Sequence, residues 1–443
     1  MIKGLEWKKI SELVDIFNNI RVPLSSKERE NLNKMFPYYG AQGIVDYVDD
    51  FLFDGEYLLV AEDGENLRSN NQNICNLVKG KFWVNNHAHI LKANDDNITK
   101  YLFYNFNRIK FDSYVTGSAQ PKLNKENLLN IKTCVHSKVD QQKITSVLSA
   151  LDDKIELNNR INSELEAMAK LLYEYWFVQF DFPYDLRQSK PADETSKPQD
   201  IKPYKSSGGK MVWNKDLNRE IPEGWGSGFL NDLGKIIGGS TPSRNNPEFF
   251  TEDGIPWITP KDLSNNVGNK YIFKGESDVT QKGKDNASLN ILPKGTILMS
   301  SRAPIGYVAI SVCDVTTNQG FKSFIPEDPF TTEFVFYKLN EMMPVIENNA
   351  SGSTFKEVSA GTLKTIKIVL PPEKVIQSFT SKVSPVFKKQ ENLQIQNQEL
   401  SSLRDWLLPM LMNGQVTVED AEERVNEELG MVAEGERGRY EKK

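Results

Sequence analysis

Two sets of amide, hydroxyl and basic residues stand in glycine-rich, strand-flanking stretches of this chain. Side chains of these types donate and accept hydrogen bonds in the patterns that nucleobase edges and phosphates present. The first set is Tyr38, Tyr39, Gln42, Asn71, Gln72, Asn73, Asn86, His87, Ser118, Gln120 and Lys122. The second is Thr241, Ser243, Arg244, Lys261, Ser301, Arg302, Asn318, Gln319, Ser353, Thr354 and Lys356. Arg302, in Ser-Ser-Arg-Ala-Pro after a strand-like run, is the strongest single candidate; its plainer role is a surface salt bridge. Two Gly-Ser turns, at Gly117 and Gly352, place hydroxyls and a lysine together, which suits phosphate contact; each also serves as an ordinary turn.

Other chemistry fits poorly. His87 and His89 alternate on a strand with Glu62 and Asp63 upstream, but His136 lies in a different segment, so no metal site is expected. Asn246-Pro-Glu-Phe lacks the second proline of a methyltransferase motif. Gly224, Gly226 and Gly228 have the wrong spacing for a dinucleotide loop, and no phosphate-binding loop ends in Lys-Ser/Thr. No catalytic residue, metal or bound cofactor is assigned to the chain. Cys75, Cys134 and Cys313 are scattered and read as small buried hydrophobes.

The elements that hold these residues are written twice. Gly117 pairs with Gly352, Ile131 with Ile366, Glu164 with Glu399, Leu165 with Leu400 and Leu172 with Leu407, each 235 residues apart without a gap. Each copy is a globular segment of short β-rich runs plus one helix, followed by a long helix. In the first long helix, Ile144, Leu148, Leu151, Ile155, Leu165, Ala169 and Leu172 keep a coiled-coil spacing, with Asn158 and Asn162 on the same seam. Phe379, Val383, Val386, Leu393, Leu400, Leu407 and Leu411 keep that phase in the second, with Asn397 matching Asn162. Pro385 predicts a kink or a start there. Matched seams predict that the helices pack on each other, antiparallel if a twofold axis relates the halves.

The fold class is therefore α/β (α+β), with two globular domains separated by two long antiparallel coiled-coil helices and an internal pseudo-twofold duplication. The expected boundaries are 1–140 for the first domain and 141–180 for the first spacer helix. A flexible linker (181–212), the second domain (213–372), the second spacer helix (373–412) and a disordered acidic tail (413–443) follow. The net charge of −6 is mildly unfavourable for binding a polyanion. Much of the acid, though, is in the tail: Glu419, Asp420, Glu422, Glu423, Glu427 and Glu428. No apolar run approaches a membrane span and no signal peptide is evident, so the cytoplasm is expected.

At this point the chain resembles the specificity subunit of type I restriction–modification enzymes. The resemblance covers nearly the whole sequence. It rests on Phe-Pro-Tyr-Tyr-Gly-Ala-Gln-Gly from Phe36, Ala-Glu-Asp-Gly from Ala61 and Trp-Val-Asn-Asn-His-Ala-His from Trp83. In the second half it rests on Ile-Pro-Glu-Gly-Trp from Ile221, Gly-Gly-Ser-Thr-Pro-Ser from Gly238 and Ile-Pro-Trp-Ile-Thr-Pro-Lys-Asp-Leu from Ile255. The helix ends Tyr-Glu-Tyr-Trp-Phe and Trp-Leu-Leu-Pro-Met-Leu-Met-Asn-Gly agree. The resemblance implies a non-catalytic subunit whose two target-recognition domains read a split sequence in double-stranded DNA. It also implies methyltransferase (modification) subunits, two of them, and restriction/translocase subunits as partners; S-adenosylmethionine, ATP and Mg would be bound by those partners. The competing reading is a coiled-coil scaffold with two protein- or ligand-binding heads. A helix of about 33 residues spans roughly 50 Å, comparable with one to one and a half DNA turns of ~34 Å.

Overall fold

The structure is a computed structural model that describes residues 5–69, 72–117, 120–185, 190–192, 196–302, 304–351 and 356–437. The chain divides into two compact units, residues 1–156 with 397–443, and residues 157–396. The division falls inside both long helices, so each unit carries a piece of each.

In the first unit Glu6–Lys9 (β1) pairs antiparallel with Lys132–Val135, the last strand before the long helix. A six-stranded sheet follows, built from Val14–Ile16 (β2), Phe36–Gly40 (β3), Gly43–Val48 (β4), Phe53–Ala61 (β5), Cys75–Val84 (β6) and Ala88–Ala93 (β7). Its order is β2-β7-β5-β6-β3-β4, antiparallel except where β3 runs alongside β6. Alternation along a strand gives the sheet two buried faces. Leu58 and Val60 of β5 point to a core with Tyr101, Leu102 and Phe106 of helix α1 (Thr99–Phe106). Phe53 and Leu59 join Phe82, Val84 and Ile90 on the other face.

Two long helices run from the units: α2 (Lys138–Tyr173), extended by a π-helical turn over Glu174–Val178, and α4 (Glu373–Met412). The helix α3 (Thr332–Asn348) belongs to the second unit. In the first unit Ile144, Leu148 and Leu151 of α2 share a core with Leu400, Leu407 and Leu411 of α4. There Asp152 accepts from Arg404 at 3.0 Å and from the Tyr104 hydroxyl. In the second unit Asn158 donates to Gln396 at 3.5 Å, and Gln390 donates to the Asn162 carbonyl at 3.2 Å. As numbers rise along α2 they fall along α4, so the helices are antiparallel in both units. Pro385 does not break α4; it forgoes only the bond that its missing N–H would make to the Ser381 carbonyl. Asn158 is fully buried, as a seam residue should be, and the Asn162 amide has no partner among the described residues.

The second unit repeats the closing pair: Gly226–Phe229 runs antiparallel to Lys367–Leu370, and the Leu230 N–H donates to the Ile366 carbonyl as Ile10 does to Ile131. A five-stranded sheet centres on Ile297–Ser301 and Lys322–Pro326, and a four-stranded sheet on Ile255–Ile258 and Ser277–Val279. Lys270 joins this domain to both long helices. Its ammonium donates to Gln390 at 2.8 Å and Tyr337 at 3.1 Å, pairs with Glu166, and lies 3.8 Å from the centre of the Phe387 ring. Burial pushes the Lys270 pKa down to about 8 against the opposing pull of Glu166.

Two segments expected to be flexible or disordered are folded. Within the expected linker, Pro183–Asp185, Lys190–Pro191 and Ile201–Pro203 form a small sheet, and Tyr204 stacks on Phe182 at 4.8 Å beside Trp225. The tail expected to be disordered forms helix α5 (Val418–Arg437), which buries Ala421 and Val425 in the first unit's core. Among the described residues no helix is long and apolar enough to cross a membrane.

Candidate nucleic-acid interface

In the first unit the β3–β4 turn, the β6–β7 turn and the loop before Leu123 meet at one rim. The Asn85 N–H donates to the Tyr39 carbonyl, Gly64 to Pro121 and Leu123 to Glu62. Gln42, Asn86, His87, Gln120 and Lys122 are exposed there. His87 bonds Asp63 at 2.6 Å, and Glu62 holds Arg21 at 2.6 Å and Lys122 at 3.3 Å. Burial works to raise the Glu62 carboxyl, but the hydrogen bond and charge of Arg21 outweigh it and hold the pKa low. His89 is buried, which pushes its pKa down. Its Nε2–H donates to the Leu123 carbonyl at 2.7 Å, so Nδ1 accepts from Asn18 at 2.8 Å. It therefore anchors the rim. Gln72 and Asn73 are exposed in the loop that Asn66 closes through bonds to the Gln72 backbone.

Tyr38 is a correction. Its ring is 2 % exposed and its hydroxyl accepts from the Leu24 N–H at 2.9 Å, so it fastens a loop to β3 and offers no surface to a base. Tyr39 is half-buried with its ring against Phe82. Asn71, Ser118, Ser353 and Thr354 lie outside the described residues.

The second unit brings three of its candidates, Arg244, Lys261 and Asn318, to a cleft of about 560 Å³ that Phe250, Trp257 and Glu276 also line. The Gly239 turn fits here because a Cβ would meet the Asn318 carbonyl at 2.1 Å. The Ser240 N–H donates to the Thr317 carbonyl and the Trp257 indole to the Ser240 carbonyl. Arg244 lies 5.9 Å from the Trp257 ring centre and makes no ion pair with a described residue. Lys261 meets Glu276 at 2.7 Å; that hydrogen bond raises the lysine and lowers the carboxyl. Thr241 bonds the Gln319 amide, so these two occupy each other. Ser243 is exposed beside Arg244.

Arg302 stands next to this rim, through the Ser301 N–H bond to the Gly320 carbonyl. Its guanidinium is 3.9 Å from Glu357, which also faces Lys322 at 3.7 Å. The salt-bridge role is thus the one this conformation displays. Ser301 is the second correction: it is fully buried, with Lys322 3.4 Å from its hydroxyl. Lys356 is exposed beyond Glu357.

Sequence reasoning weighed Glu62 and Asp63 only as metal ligands beside His87 and His89, and missed Glu276 and Glu357. Glu62, Asp63, Glu276 and Glu357 each hold one of the candidate cations or rings, and an acceptor of this kind also suits the cytosine amine. Only pairing in space reveals the last two, since Lys261 and Glu276 are separated by a helix and a strand. The cleft therefore presents fixed donors and acceptors beside an aromatic wall. Among the described residues no three His, Cys, Asp or Glu side chains stand together as a metal-binding group.

The family model for the type I restriction modification DNA specificity domain matches the chain twice, at residues 3–167 and 222–401. The type I restriction enzyme HindI specificity subunit of Haemophilus influenzae is 30% identical over 331 residues, covering 67% of this chain and 71% of that protein. The MjaIX specificity subunit of Methanocaldococcus jannaschii is 42% identical over 200 residues, 44% of this chain and 46% of its own length. The crystal structure of a type I restriction–modification S subunit from M. genitalium shares the fold with a TM-score of 0.55 at 14% identity, covering 92% of this chain and 96% of that one.

Proposed function

The chain belongs to the type I restriction–modification DNA specificity family, and from that premise we propose that each of its two units reads one half of an asymmetric, bipartite DNA target. It is a specificity subunit, the non-catalytic recognition component of such a system, acting with DNA and with the other subunits. The observation that carries the reading is the double match of one domain to two segments, each of which runs into one of two paired helices. Because the two domains differ in sequence, they read different half-sites. The helices α2 and α4 set the unread gap. Methyltransferase subunits, two per chain, dock on them and bring S-adenosylmethionine; restriction/translocase subunits bring ATP and Mg. The compartment is the cytoplasm.

Physical chemistry assigns two kinds of contact. Exposed Lys122, Lys261 and Lys356 meet phosphates, which position the duplex without reading it. Arg244, Asn318, Gln42 and Asn86 meet base edges, where a bidentate pair discriminates by roughly 1–3 kcal/mol. Several phosphate contacts make binding fall steeply with salt, with a logarithmic slope of about −0.9 per contact. The test is to map methylated adenines in DNA modified by the complex containing this chain. Two defined half-sites around a fixed unread gap are expected; a continuous or palindromic motif would refute the reading.

A further inference from the structure

We propose that the first unit reads the C5 methyl group of a thymine, and that Val45, near the tip of the β3–β4 hairpin with Ile44 beside it, is the residue that reads it. Only Ala41 and Gln42 join β3 to β4, and β4 is the outermost strand of its sheet. The hairpin is thus a two-stranded ribbon with a free tip, a shape that the major groove admits. That tip belongs to the polar rim described above: Gln42 is exposed, and its amide nitrogen lies 3.7 Å from where a Cβ on Gly64 would stand.

Into this rim the chain puts two aliphatic side chains. Val45 is 57% exposed and Ile44 49%. The ladder explains how neighbours in one strand both come to face water. Tyr38 pairs with Asp46 and Tyr39 with Ile44, so Val45 is an extra residue without a partner on β3. Neighbours in a regular strand point to opposite faces, but a bulge breaks that alternation and re-aims its side chain. Gly40 leaves room for the result. A Cβ there would meet Val45 Cγ1 at 3.0 Å and the Asn85 amide at 3.4 Å. The Val45 isopropyl group therefore lies over Gly40 and next to Asn85, on the turn that carries Asn86 and His87.

The surroundings select the occupant. Beyond the aliphatic pair, Asp46 is neutralised by Arg29 and by the exposed Lys34 at 3.0 Å, so no unpaired acid follows Val45 along the strand to repel a phosphate. Two aliphatic groups among amides and bases suit a contact of methyl size. In the major groove thymine alone among the four bases presents a methyl group, while the adenine paired with it presents the N6 donor and N7 acceptor that a glutamine matches. Gln42 and Val45, on one tip, fit the two members of an A·T pair. Cytosine in the same place offers an amine and no methyl, and leaves Val45 uncovered. This deepens the reading proposed above and rests on it, since that reading supplies the duplex.

The experiment uses the chain reassembled with its methyltransferase subunits and fluorescent duplexes carrying the mapped motif. The first unit's half-site is the half that persists when residues 213–370 are exchanged. Each thymine of that half, on either strand, is replaced in turn by deoxyuridine, which pairs identically and lacks only the C5 methyl group. One replacement should weaken binding about fourfold, the contribution of one buried methyl group. Val45→Ala, at an exposed position, should bind the thymine and deoxyuridine duplexes alike. An apolar wedge between stacked bases would respond to V45A and ignore deoxyuridine, and a face for a second copy would show as altered sedimentation of I44A/V45A; either result would overturn the proposal. So would a half-site without thymine on either strand, or deoxyuridine sensitivity that persists in V45A and in I44A. Two mapped half-sites with no sensitive thymine would remove the methyl contact and leave the two-reader account standing, whereas a complex without a bipartite motif would remove both.

Discussion

At the scale of single residues, the candidates divide by what already holds them. Arg244 rests on an aromatic wall with no described carboxylate paired to it, so its donors remain available to a base. Arg244→Ala should relax the methylation motif at one position of one half-site and weaken binding by about 1–3 kcal/mol. Lys356→Ala should weaken all duplexes alike and reduce the salt slope by about 1; fluorescence titration across salt concentrations distinguishes the two. Tyr38→Phe should leave the motif unchanged and cost about 1–2 kcal/mol in urea unfolding, because it strands the Leu24 N–H. Lys270 carries a pH dependence. Its native pKa of about 8 lies below the ordinary lysine value, so between the two the unfolded chain binds more protons. Stability should therefore rise with pH from about 8 to 10.5, with a slope of at most ~1.4 kcal/mol per pH unit. The K270M variant should lack that rise in paired urea titrations.

At the scale of elements, legibility followed periodicity. The seam of α4 was readable to its ends, and α2 nearly so, because a heptad repeats over many turns and noise averages out. The strands Phe53–Ala61 and Ile297–Ser301 were readable as β, but both faces of each are buried, so alternation could not tell Ser301 from an exposed serine. Helix α5 was hidden by its acid, since Ala421, Val425 and Leu429 are too sparse to outweigh the composition around them. The linker was hidden in the opposite way: Phe182, Tyr204 and Trp225 meet only in three dimensions. The role of α2 and α4 as a ruler is tested by adding one heptad after Leu157 and one after Asn392, which keeps the seams in phase. The heptad adds roughly 10 Å, so the gap in the methylation motif should lengthen by about three base pairs at ~3.4 Å each. Seven residues added near Lys197 should leave it unchanged. A gap that follows the Lys197 insertion would reverse the assignment.

At the scale of the whole molecule, one domain is used twice and then differentiated. Both copies close on the same strand pair before a long helix, while the rims diverge into an aromatic cleft in one and a set of acid-braced turns in the other. Divergence of the rims on a shared frame is what independent reading of two half-sites requires. The most direct measurement exchanges residues 213–370 for the corresponding segment of another specificity subunit and maps adenine methylation by the reassembled complex. The account predicts that one half of the motif is replaced by the donor's half while the other half and the gap persist. A change in both halves, or a motif unaltered by the exchange, would contradict it.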